Sequence, residues 1–172
     1  QREAVIEVYD RYLADFARTR NGEIKDFEDA IASTAETFGF MRFNIPERAM
    51  VEELVRKAQR AMKAIHRSDN QFYEELSGML SEKQRIILGR VQIARELEAY
   101  QLFITELLGQ INRGARVQMR TLYNRLDLEA NVEIATALDL YDQRYLKDVK
   151  EGFEAVVETV RLLLDQIDEL GV

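Results

Sequence analysis

Apolar positions recur at steps of three and four along most of this chain, and that spacing predicts long amphipathic helices. Val5, Tyr9, Tyr12 and Phe16 share one face of a first helix, Glu3 to Arg20. Asn21-Gly22 is expected to end it, because both residues accept the left-handed conformation. A second helix, Lys25 to Phe38, carries Phe27, Ile31, Ala35 and Phe38, with Gly39 as its stop. The segment Gly39–Pro46 reads as a loop that is unusually apolar, with Phe40, Met41, Phe43 and Ile45. Loops run over the surface, so such side chains either plug the end of a bundle or face a partner.

Pro46 suits the first turn of a third helix, which runs to about His66 with Met50, Leu54, Ala58, Ala61 and Ile65 as its stripe. Ser68 or Asp69 is expected to cap a short fourth helix bearing Phe72, Leu76, Met79 and Leu80. Ser81-Glu82-Lys83-Gln84 fits a capping box, and the fifth helix repeats Ile93, Leu97, Tyr100, Ile104, Leu107 and Ile111 as a heptad-like seam. Gly109 and Gly114 predict a break before a helix from Ala115 to Arg125. The last helix is the longest: its stripe, from Ile134 through Tyr141, Tyr145 and Phe153 to Leu170, implies a rod of about 60 Å. The fold class expected is all-α, an elongated bundle with helical hairpins, in one domain spanning 1–172.

Composition narrows the function. The chain has 24 Lys plus Arg against 31 Asp plus Glu, a net charge of -7. Nucleic-acid binding draws its affinity from neutralising phosphates, so a nucleic-acid partner is not expected. No cysteine is present, which removes disulfides, thiol nucleophiles and thiolate metal sites. No apolar window is long enough to span a membrane. His66 is the only histidine, so neither a hydrolase triad built on His nor a paired Glu-x-x-His di-metal site gains support beyond it. At a predicted helix end it reads as a surface or capping residue. Acidic pairs such as Glu52-Glu53 read as solvated faces, and no phosphate-binding glycine loop is found. No catalytic residue, cofactor or metal is therefore expected. The stretch from Arg113 to Arg125 holds Arg113, Arg116, Arg120 and Arg125 with no acidic residue between them. Arg116 and Arg120 share a helix face and could dock an acidic partner.

Leu80-Ser81-Glu82-Lys83-Gln84 resembles the Leu-Thr-x-x-Gln motif of the Spy/CpxP family, small helical proteins of the bacterial periplasm. Leu80, Ser81 and Gln84 take the places of the motif's Leu, Thr and Gln. The nearest counterpart of the family's second copy, Leu126-Asp127-Leu128-Glu129-Ala130, lacks the Gln. The resemblance implies a periplasmic or secreted protein of envelope stress, chaperone-like and independent of ATP, with the motif tying a helical hairpin together. Such a location requires a leader peptide ahead of Gln1. The expected function is thus non-enzymatic binding of a protein partner or unfolded client through Phe40, Met41 and Phe43, with Arg116 and Arg120 as a second contact. The alternatives are a structural module that homodimerises through its heptad seam, and a bundle that holds a small molecule or metal among residues such as Tyr100, Tyr141 and Tyr145.

Overall fold

The computed structural model describes residues 2–40, 47–107 and 132–170. Every described element is helical: α1 (Arg2–Thr19), a π-helical segment (Arg20–Ile24), α2 (Lys25–Phe40), α3 (Arg48–Ser77), α4 (Glu82–Leu107) and α5 (Val132–Leu170). The protein is an all-α bundle. α5 alone has 39 residues, which at 1.5 Å per residue gives a rod of about 58 Å.

Asn21-Gly22 does not stop the first helix. The chain passes through it as a π-turn, with the Lys25 N–H donating to the Arg20 carbonyl five residues back, and α2 follows without a loop. The reason lies in the apolar face. Val8, Tyr12, Phe16 and Thr19 turn toward the bundle on α1; Ile24, Phe27 and Ile31 do so beyond it. The step from Thr19 to Ile24 is five residues, where an α-helix needs three or four. A π-turn absorbs the extra residue, so both halves keep one face on α3. Gly39 likewise lies inside α2 and does not end it.

Ser68 and Asp69 do not start a new helix either, and α3 runs unbroken for 30 residues. Short polar side chains favour caps because they bond the nearby backbone. Here distant partners have taken them. The Ser68 hydroxyl lies 3.3 Å from that of Thr19, and the Asp69 carboxylate is held by Tyr12 and Arg95.

Contacts between helices give the packing. Tyr9 and Tyr12 meet Phe72, and Arg11 meets Glu75, so α1 and α3 are antiparallel. Asp69 with Arg95, and His66 with Tyr100, set α4 antiparallel to α3. α4 and α5 are parallel: Arg90–Asp139, Glu96–Lys150 and Tyr100–Phe153 advance together along both. α4 packs against both α3 and α5, which is why its apolar residues are not confined to one stripe.

The main core joins Ala58, Ala61, Met62 and Ile65 of α3 to Phe27, Phe103, Phe153 and Val157. Ala58 and Ala61, both predicted core positions, are fully buried; such small side chains let helices approach closely. Phe103 is the largest fully buried side chain and stacks on Phe27 at 4.9 Å between ring centroids. Among the described side chains of α4 the innermost are Ala99 and Phe103, with Tyr100 of the predicted seam packed at their edge; the side chains of Ile104 and Leu107 of that seam lie outside the described residues.

Candidate functional site

The N-termini of α1, α4 and α5 and the turn between α3 and α4 gather at one end of the bundle, because α3 runs against the other three. That end is built differently from the middle. Of the twelve large hydrophobic side chains exposed among the described residues, ten belong to it: Ile6, Tyr9 and Leu13 on α1, Met79 in the turn, Ile86, Ile87 and Val91 on α4, and Val132, Leu140 and Tyr141 on α5. Only Leu162 and Leu163 lie elsewhere. Scattered apolar residues on a surface are ordinary, and a one-ended concentration makes this end the candidate docking surface.

Ile86 and Ile87 are the most exposed of the large hydrophobic side chains described on α4, at 58% and 59%. Their placement follows from the start of that helix. Gln84 Oε1 accepts the Ser81 backbone N–H at 2.9 Å, and the Ser81 hydroxyl donates to the same oxygen. The reciprocal bond of a full capping box is not made, since the hydroxyl turns toward Gln84. The Arg85 N–H then donates to the Ser81 carbonyl, closing the first turn. Gln84→Ala should cost about 1 kcal/mol in chemical denaturation. Across this end, Arg11–Glu75 at 3.2 Å ties α1 to α3 and Arg90–Asp139 at 2.8 Å ties α4 to α5. Tyr141 stacks on Tyr145 with ring centroids 6.0 Å apart and planes 10° from parallel. These links hold the apolar side chains on ordered helices rather than on loops.

No known protein family, curated protein or solved structure matches the chain.

The residues that the sequence singled out fall in two groups. Leu80, Ser81 and Gln84 sit at the apolar end, Leu80 half-buried and the other two exposed. Phe40 closes α2, and its side chain lies outside the described residues, as do Met41, Phe43, Arg116 and Arg120. Tyr141 and Tyr145 stack together, whereas Tyr100 lies against His66 and Phe153, so the three tyrosines do not line one pocket. Among the described residues no group of three or more His, Asp or Glu is placed to hold a metal ion, and no helix is long and apolar enough to cross a membrane.

Between the apolar end and the core lies a charged clasp. Tyr12 donates to Asp69 Oδ1 at 2.7 Å, and Arg95 Nε donates to Asp69 Oδ2 at 3.2 Å. The Arg95 guanidinium also rests 5.0 Å over the Phe16 ring, a cation–π contact. Burial and the bond to the Asp69 carboxylate push the Tyr12 hydroxyl far above its ordinary pKa, and burial pushes Tyr73 up to about 12. Both phenols stay protonated at neutral pH, and the cluster joins α1, α3 and α4.

His66 is mid-helix, which corrects the expectation of a capping residue. Its Nε2 is buried with no hydrogen-bond partner, and its ring meets Tyr100 edge-on at 5.3 Å. Burial lowers its pKa; Lys150 adds to that, while Glu96 and Asp69 oppose it. The folded chain therefore resists protonation that the unfolded chain accepts below about pH 6.5. Stability from neutral His66 is complete above that pH and is lost as the pH falls toward the lowered folded value. Melting temperature should drop between pH 7 and pH 5.5 in the parent, and His66→Phe should flatten that slope.

Proposed function

We propose that this chain is a non-catalytic, protein-binding helical module whose apolar end takes apolar segments of an unfolding client. The observation that carries this is the concentration of exposed Ile, Leu, Val and Tyr side chains where α1, α4 and α5 begin. Buried apolar surface contributes about 25 cal/mol per Å², and association costs consume much of it, so a patch of separate side chains suits weak, broad binding. The resemblance at Leu80–Gln84 supports an extracytoplasmic, envelope-stress setting and client binding without ATP. In this reading Ser81 and Gln84 position the helix start that displays Ile86 and Ile87.

An aggregation-suppression assay with an unfolding test protein and no ATP checks it. The parent should suppress aggregation, and Ile86→Ser/Ile87→Ser should weaken suppression about tenfold, as expected for losing roughly 1.4 kcal/mol or more of apolar contact. Phe40→Ser/Phe43→Ser, measured beside it, tells whether the apolar loop shares the load. A parent that suppresses nothing, yet doubles in mass as its concentration rises, would replace this reading with that of a dimerising structural module.

A further inference from the structure

A second feature lies away from the apolar end. The outer faces of the π-helical segment and of the start of α2 border, with α3, an open cleft of about 500 Å³. Its α3 wall carries Lys57, Arg60, Lys63 and Arg67, and its other wall Gly22, Glu23 and Asp26. In a chain with a net charge of -7, four cations within eleven residues of one helix are a local reversal of sign. Lys57 approaches Glu53 only at 3.9 Å, and no ion pair or hydrogen bond among the described residues involves Arg60, Lys63 or Arg67. Elsewhere in the bundle arginines that face another helix find a carboxylate: Arg11, Arg48, Arg90 and Arg95 all do. Glu23 and Asp26 are at hand across the cleft, yet the walls do not close on each other.

The π-turn itself borders the cleft through Gly22 and Glu23. π-turns inside long helices are rare and gather at functional sites. This one sets Gly22 on the cleft, where an added Cβ would meet nothing within 4 Å. A volume near 500 Å³ matches ordinary small-ligand sites.

We propose that this cleft binds a small oligophosphate, its phosphates held by Arg60, Lys63 and Arg67 on α3. Guanidinium forks pair with phosphate oxygens two at a time, and ammonium groups add point charges. The four cations span eleven residues of α3, ten steps or about 15 Å, which fits a row of linked phosphates better than a single one. Glu23 and Asp26 disfavour a singly charged anion, so at least two negative charges are needed to outweigh them. The same carboxylates can accept hydrogen bonds from hydroxyl or amino groups, which favours a nucleotide over bare oligophosphate.

Isothermal titration of the full chain, with tripolyphosphate and separately with ATP free of metal, tests this. Both should bind, orthophosphate at least about tenfold more weakly, and Arg60→Ala/Arg67→Ala should weaken both at least about tenfold. Tighter binding of ATP than of tripolyphosphate assigns the ligand to the nucleotides; equal binding assigns it to inorganic oligophosphate. Gly22→Phe keeps every charge but fills the cleft, and should abolish binding without lowering the melting temperature, since glycine is a poor helix former. Binding that survives Gly22→Phe, no heat from either anion, or a preference for a poly-glutamate peptide over both would overturn the proposal.

Discussion

Phe103→Ala is expected to destabilise the protein by about 4 kcal/mol, the largest single effect in the bundle. Phe103 is fully buried and stacks on Phe27 in the cluster where α2, α3, α4 and α5 converge. Its loss removes the transfer energy of a large ring and leaves a cavity beside Phe27 in a cluster where Ala58 and Ala61 are too short to fill it. Helical backbones on both sides resist collapse, which puts the cost toward the upper part of the range for such truncations. Urea denaturation gives the value directly, and Phe103→Leu should recover more than half of it. A cost under about 1 kcal/mol would mean that the four helices do not share one core.

Asp69→Ala comes second, at about 3 kcal/mol. Asp69 is only 5% exposed and answers two donors from two helices. Without it the Arg95 guanidinium is half-buried with only Glu98 near, at 3.8 Å, and Tyr12 loses its acceptor. Stranding a charge costs more than the intact pair contributes, so the effect of the whole cluster should be smaller than that of its broken half. Tyr12→Phe/Asp69→Leu/Arg95→Met is therefore expected to melt within a few degrees of the parent, whereas Asp69→Ala should melt about 6–12 °C lower. If the triple variant were as unstable as the single one, the clasp would be holding the bundle together by its charges rather than merely fixing which helices meet.

The fold was legible where apolar spacing is regular. Ala58, Ala61 and Ile65 of α3 and Phe153 of α5 occupy the core because steps of three, four and seven mark one helix face whatever else the bundle does. Two of the three expected breaks that the structure does not make fail for different reasons. The five-residue step from Thr19 to Ile24 was available in the sequence and marks a π-turn, but Asn21-Gly22 is also the common signature of a helix end. Ser68-Asp69 looks like a cap by composition, and only the partners Thr19, Tyr12 and Arg95, distant along the chain, show that these side chains serve between helices.

The apolar end was less legible. Ile6, Leu13, Ile86 and Ile87 are ordinary members of helical stretches, and nothing local distinguishes an Ile turned to solvent from one turned to a neighbour. The difference emerges only when three helix starts come together and the exposed residues prove to share one end. The cationic cleft was hidden in a similar way. Lys57, Arg60, Lys63 and Arg67 alternate with core alanines on α3, and their significance depends on the cleft that Gly22, Glu23 and Asp26 border opposite them. Arg116 and Arg120, by contrast, stand out in the sequence because no acidic residue falls between Arg113 and Arg125.

Amide hydrogen exchange on the full chain, with and without an unfolding client, tests the central claim most directly. Client binding at the apolar end should slow exchange in the first turns of α4, around Ile86 to Val91, and along Ile6 to Leu13 and Leu140 to Tyr141, while Lys57 to Arg67 stays unchanged. Protection confined to other segments, or none at concentrations where aggregation is suppressed, would contradict it.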